Sequence, residues 1–325
     1  MPNLNRRLLT TACLTAFAWP MKLMAQDKYP TRTIRFICPS PPGGLSDTIP
    51  RILAPELSAA MNTTVVVENR AGAGGSIGTS AMARSAPDGY TLLLGTGGTM
   101  TLNPYLLPNQ TYDSSKDFLG IALVASTPLY LVVRPDSPYR TLGDLIAAAK
   151  AAPGQLAYGN LGNGSTAAIA GALLSKAKGL DFIDVPYSGY APGLSELLAG
   201  RLAFFFVDGS SLARIEHGSL RALAVTSARR ASRLPNVPSM KEQGVDVDVS
   251  LWFGVYTRAG VPPEVAQRLR DEVKLIVERP AFRAQLAGYG LEPGGLYGDA
   301  FQAYHLAELK RWGETLPALG IKAQS

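Results

Sequence analysis

Short apolar runs alternate with stretches whose apolar residues recur every three or four positions, and this alternation covers most of the chain. Residues 33–37 form an apolar, β-rich run that predicts a strand. Ile49, Ile52, Leu53, Leu57 and Met61 then fall at helical spacing. Residues 64–68 predict a second strand, the segment through Ala81, Met82 and Ala83 a second helix, and residues 90–94 a third, buried strand. Strand, helix, strand, helix, strand is the order of a parallel doubly wound sheet. Residues 100–118 read as a loop with a short helix, and residues 119–124 and 129–133 as strands. Thr141 caps a helix that reaches Lys150 and ends at Pro153-Gly154. Residues 155–158, 182–185, 202–207 and 220–225 continue as strands, with helices marked by Ile169, Leu173 and Leu174 and by residues 194–198 between them. Pro235 and Pro238 break the pattern, residues 245–255 resume it as a strand, and the remainder is helical over 263–277, 282–287 and 298–312. The expectation is an α/β fold in two lobes facing a cleft, with a helical tail.

Glycine-rich loops stand at the carboxyl ends of several of these strands. The first is Cys38-Pro39-Ser40-Pro41-Pro42-Gly43-Gly44-Leu45-Ser46-Asp47, between the first strand and the first helix. In an open α/β sheet this is where ligands bind. Gly43 and Gly44 let backbone N–H groups approach a ligand, and a helix start adds unpaired donors, so an anion is the natural guest. A plain βα turn with Ser46 or Asp47 as helix cap is the alternative. Gly95-Thr96-Gly97-Gly98-Thr99 and Gly159-Asn160-Leu161-Gly162-Asn163-Gly164-Ser165-Thr166 are equivalent loops further along.

Composition narrows the class. The 325 residues are enough for two domains, and 46% apolar with 17% charged residues is a packed chain. Arg6 and Arg7 precede an apolar run over residues 8–19, and Ala25 offers a small-residue cleavage site before Gln26. That is a secretory signal peptide over residues 1–25, too short to span a membrane, and it predicts an exported protein. The flanks fit neither a twin-arginine signal nor, at Cys13, a lipoprotein site. Removing the segment takes away Arg6, Arg7 and Lys22 and no acid, which lowers the formal charge from +6 to about +3. No Lys/Arg-rich run stands out, so nucleic acid is not expected as a partner. Cys38 is the one cysteine left, and it reads as a buried strand-end thiol. With His217 and His305 far apart, neither a disulfide nor a metal site is expected.

Two motifs suggest other chemistry. Gly72-Ala73-Gly74-Gly75-Ser76-Ile77-Gly78 follows a strand, but Ile77 holds the last glycine position of the dinucleotide fingerprint and no acid lies about 20 residues on, so no cofactor is expected. The same stretch holds a G-x-S-x-G match in which Ser76 could be a nucleophile, with Asp208 and His217 or His305 completing a triad. An exported serine hydrolase is therefore the rival class. Asp208, after the apolar Phe204-Phe205-Phe206, reads equally as a cleft-facing acid or as a turn residue.

The chain also resembles the tripartite tricarboxylate receptor family, the Bug family of periplasmic binding proteins. The resemblance lies in Tyr29-Pro30, Pro42-Gly43-Gly44 with Asp47 and Arg51, Val65-Val66-Val67-Glu68-Asn69-Arg70-Ala71-Gly72-Ala73-Gly74-Gly75, Ala86-Pro87-Asp88-Gly89-Tyr90, Val185-Pro186-Tyr187, Leu234-Pro235-Asn236-Val237-Pro238 and Trp252-Phe253-Gly254. It implies a type II-like periplasmic-binding fold, each lobe a central sheet flanked by helices. Lobe 1 would be residues 26–124 with 251–325, and lobe 2 residues 125–250, with crossings near residues 122–127 and 247–253. It implies a receptor without enzymatic activity, a monomer, that captures a small organic acid for a membrane permease. The expected contacts are Pro42, Gly43, Gly44 and Asp47 in the first loop; Thr96 and Gly98 in a third wall; Asn160, Gly162, Gly164, Ser165 and Thr166 in the middle loop; and Ser188 and Asp208. The resemblance further accounts for residues 72–78 as scaffold. Two departures stand out. Ala167-Ala168-Ile169 follows the Gly-Ser pair where the family often has histidine, and Ser188 follows Val185-Pro186-Tyr187 where it often has lysine.

Overall fold

Two mixed sheets flanked by helices organise the chain in the computed structural model, which describes residues 29–162, 164–321 and 323. The signal-peptide segment lies outside the described residues. In chain order the elements begin with β1 (Ile34–Cys38), α1 (Leu45–Met61), β2 (Val65–Asn69), α2 (Ser76–Ala83), β3 (Thr91–Thr96), α3 (Asn103–Leu106) and β4 (Phe118–Pro128). The middle holds β5 (Tyr130–Val133), α4 (Leu142–Ala151), β6 (Leu156–Asn160), α5 (Thr166–Lys178), β7 (Phe182–Pro186), α6 (Tyr190–Leu198), β8 (Phe204–Val207), α7 (Leu212–Glu216) and β9 (Arg221–Val225). The chain ends with β10 (Ser250–Arg258), α8 (Pro263–Glu278), α9 (Pro280–Gly288), β11 (Glu292–Pro293) and α10 (Asp299–Ala318).

The first sheet has the order β11-β4-β10-β3-β1-β2 and the second β7-β6-β8-β5-β9. The expected parallel ladder holds for β1 with β2 and β3, but β10 enters between β3 and β4 and runs antiparallel to both. The second sheet is mixed in the same way, β6 pairing parallel with β7 and β8 and β5 antiparallel with β8 and β9. A strand that returns from a distant part of the chain is not bound by the βαβ crossover rule, so it can insert in either direction.

The chain passes between the sheets twice. The first passage falls at Leu129, beyond the expected 122–127, because β4 keeps its ladder with β10 as far as Pro128. The second corrects the strand expected over residues 245–255. Val245, Val247 and Val249 are buried in the core of the second sheet, whereas the ladder of the first sheet starts at Ser250. One alternating run thus serves two cores. Thr226 stitches the two passages together. Its Oγ1 accepts from Leu129 N at 2.9 Å and donates to the Val249 carbonyl at 2.6 Å, while Val249 N donates to the Thr226 carbonyl at 2.9 Å.

Helix starts follow local chemistry. Thr141 caps α4 in a capping box with Asp144, as its position predicts. Pro263 opens α8, where its missing N–H costs nothing. At α1 the cap is Gly44, with no side-chain bond, and not Ser46 or Asp47 as the plain-turn alternative has it. The tail helix runs on to Ala318, past the expected residue 312. Phe301 packs with Trp252 and Tyr256 of the first sheet, while Trp312 and Leu316 enter the core of the second.

Candidate functional site

The loop after β1 is held from beneath by one carboxylate. Gly43 N and Arg51 Nε each donate to Asp47 Oδ2 at 2.9 Å, and Asn69 Nδ2 donates to Asp47 Oδ1 at 2.8 Å and to the Ser40 carbonyl at 3.0 Å. The Arg51 hydrogen bond, helped by Asn69 and Gly43, holds the Asp47 carboxyl down to about 2 against the cost of burial. Cys38 is buried at the end of β1, donates to the Ser46 carbonyl at 3.2 Å and is pushed up by desolvation, which makes it an inert thiol.

Above this loop the strand ends of the two sheets enclose a cavity of about 510 Å³. Leu45 and Ser46 bring the N-terminus of α1 to it, Thr166 the N-terminus of α5, Thr96 to Thr99 one wall, Trp252 the floor and Asp208 the far side. The Thr96 turn locks itself: Thr99 N donates to Thr96 Oγ1 at 3.1 Å and Thr96 N to Thr99 Oγ1 at 3.0 Å. A Cβ on Gly97 would stand 2.9 Å from Trp252 Nε1, so this glycine is what lets the indole lie against the wall. A second cavity of about 540 Å³ adjoins it through Leu45 and Asp208, and is walled by Gly43, Gly44, Tyr190, Arg233 and the turn at Gly288 to Gly290.

Gly43, Gly44, Thr96, Gly98, Thr166 and Asp208 therefore line one cavity or both. The other sequence candidates do not. Asp47 is the loop fastener just described. Asn160 is fully buried, bonds Asp184 and accepts from Gly162 N at 2.7 Å. Ser165 caps α5 by accepting from Ala168 N at 3.1 Å, and Gly164 packs on Leu106. Gly162 sits beside them in the same turn, and Pro42 and Ser188 face solvent. These small polar side chains spend themselves on their own backbone, which sequence spacing does not distinguish from reaching a ligand. Sequence reasoning passed over Trp252 and residues 288–290 as wall. Trp252 alone carried a signal, as a marker of the family resemblance.

The hydrolase triad is not assembled. Ser76 Oγ exchanges hydrogen bonds with Gln110 at 3.2 and 3.3 Å. His305 is buried on α10, within 3.0 Å of Ser114 Oγ, and burial pushes its pKa down to about 4. His217 is exposed after α7, and Asp208 faces the cleft. The glycines around Ser76 serve packing instead: a Cβ on Gly75 would meet Thr99 at 2.5 Å, and one on Gly78 the Arg70 carbonyl at 2.7 Å.

The family described as tripartite tricarboxylate transporter family receptor matches residues 49–321. The chain belongs to that family. Among solved structures this receptor is similar to Rpa4515 of R. palustris with adipate, at 32% identity and a TM-score of 0.80 over 91% of this chain and 100% of that one. It is similar also to the periplasmic binding protein BugD, at 31% and 0.76 over 91% and 100%. A third is MatC from Rhodopseudomonas palustris with bound malate, at 26% and 0.74 over 89% and 100%. The expected Bug-type receptor and its two-sheet periplasmic-binding fold are thus borne out, and the family's members are substrate-binding receptors.

Proposed function

We propose that the protein is a periplasmic solute-binding receptor that captures a small organic acid in the 510 Å³ cavity and delivers it to a membrane permease, without chemistry of its own. The observation that carries this reading is that the N-termini of α1 and α5, one from each side, open on a single cavity. Unpaired N–H groups and the positive ends of two helix dipoles grip a carboxylate without a buried salt bridge. Adipate and malate, the acids held by two of the relatives, fit this chemistry. In this reading residues 29–128 with 250–321 are one lobe and 129–249 the other, joined at the passages around Leu129 and Val249. An acid that touches both favours the closed arrangement by its differential affinity alone.

The test is a thermal-shift screen of protein purified from a periplasmic extract, whose N-terminal sequencing also checks cleavage between Ala25 and Gln26. Adipate or malate at about 100 times its dissociation constant adds about 2.7 kcal/mol of stability and raises the midpoint. No shift from any acid in a broad panel, with a shift from a neutral compound, overturns the carboxylate assignment.

A further inference from the structure

Both cavities meet at Asp208, and the charges around it do not match a ligand that is anionic at both ends. Among the described residues the first cavity is lined by no lysine, arginine or histidine and by one acid, Asp208. The second adds one cation, Arg233. That cation is already engaged: its Nε and one terminal nitrogen donate to the two Glu216 carboxylate oxygens at 2.7 and 3.2 Å, and the other terminal nitrogen donates to the Ala287 carbonyl at 3.1 Å. Asp208 is only 8% exposed. Its Oδ1 accepts from Ser210 N at 3.0 Å and Ser210 Oγ at 2.5 Å, which caps the short turn after β8. No backbone or cationic donor among the described residues reaches its Oδ2, and the phenol of Tyr190 hydrogen-bonds to the carboxylate. The Tyr190 phenol beside it is held well above its ordinary range by burial and by this carboxylate.

A buried carboxylate without a cation is costly unless donors reach it. The cap needs Oδ1 alone, and an asparagine would supply it equally well. The cap and the neutral phenol both leave the negative charge without a cation, and Asp208 lines the space where a ligand sits.

We propose that this receptor selects an acid that carries a hydrogen-bond donor at its other end, an amide N–H or an ammonium group, and seats that donor on Asp208 Oδ2. This rests on the carboxylate reading above, with the carboxylate at the α1 and α5 N-termini. The cavity is then dipolar, positive at the helix ends and negative at Asp208, and a dicarboxylate presents its second charge to a like charge. Hydrogen bonds to an ionised group, and the loss when a buried charge stays unpaired, set the discrimination at about tenfold or more.

The experiment is calorimetry on the exported protein with two matched series. The first is adipate, adipate monoamide, 6-aminohexanoate and hexanoate; the second is succinate, succinate monoamide, 4-aminobutanoate and butanoate. The expected result is that, in at least one series, the monoamide or the amino acid binds about tenfold or more tighter than both the diacid and the plain acid. Asp208→Asn, which keeps the cap, brings the series within about threefold and improves the diacid. Failure of this preference in both series, with acids still binding, overturns the inference and leaves the carboxylate receptor standing. A preference that survives in Asp208→Asn also overturns it. No binding by any acid of either series overturns the receptor reading, and the inference with it.

Discussion

Replacing Gly209 with alanine isolates the contact that closes one side of the cleft. Gly209 follows Asp208 at the end of β8 in the second sheet, and Gly290 lies in the turn from α9 to β11 of the first. Their backbones touch directly. A Cβ on Gly209 would overlap the Gly290 carbonyl oxygen and stand 2.9 Å from its carbon and 3.0 Å from its Cα. Backbone cannot swing aside as a side chain does, so the two segments must part by roughly 1 Å. Gly209 does not have a left-handed φ, so alanine meets no conformational penalty there and the substitution tests space alone, whereas Gly290 at φ +72° would add strain. Overpacking of this kind costs about 1–3 kcal/mol. The cost falls on the arrangement in which the lobes touch, so ligand affinity drops about 5- to 150-fold while each sheet keeps its own core. Calorimetric titration measures the affinity, and small-angle scattering the radius of gyration, which is expected to rise without ligand and to recover with it. A Gly290→Ala variant acts on the same contact, so the double variant is less than additive. Affinity within twofold of the parent, with an unchanged radius of gyration, would refute the claim that this contact gates closure.

Three further outcomes follow from the buried polar groups. Thr226→Val keeps the shape but leaves Leu129 N and the Val249 carbonyl without their partner, so stability to urea falls by about 2–4 kcal/mol and amide exchange accelerates at both passages, while Thr226→Ser preserves most of it. Asp47, lowered from 3.8 to about 2, contributes stability that is present above about pH 4 and lost as pH falls towards 2; Asp47→Asn, less stable at pH 7 by about 1–3 kcal/mol, shows a flatter acid limb in that window in urea titrations. His305, lowered from 6.5 to about 4, is folded in its neutral form, so stability declines as pH drops from about 6.5 to 4, by about 3 kcal/mol at most, and His305→Gln removes that slope.

Local signals were the legible ones. The Thr141–Asp144 box, Pro263 at the start of α8 and the apolar spacing of α1 are set within a turn or two, and the sequence predicts them where they fall. The direction of β10 and its place between β3 and β4 depend on pairing across more than a hundred residues, and no local pattern encodes that. Residues 245–255 show the limit well, since one alternating run supplies Val245 to Val249 to one core and Trp252 to another. At the site, the glycine-rich loops were visible as loops, but not which members face inward. Asn160, Ser165 and Asp47 are the residue types that cap and staple their own backbone, and here they do so. Residues 288–290 fell in the gap between the helices expected over 282–287 and 298–312, and nothing in that stretch marked them as wall.

The far end of α10 sets the cost of motion. Arg311 donates to the Asp248 carbonyl at 2.8 Å, one residue before the Val249 that Thr226 holds, and Lys176 donates to the Ala318 carbonyl at 2.9 Å. The tail is therefore fastened beside the passages between the sheets, where a rotation displaces atoms least. Both apolar cores stay shut while the cavity walls move, and ligand capture covers little apolar surface beyond the ligand and the rims that meet over it. The heat-capacity change of binding is then small and scales with the apolar surface of the acid itself, while the heat-capacity change of unfolding reflects the cores of both sheets together.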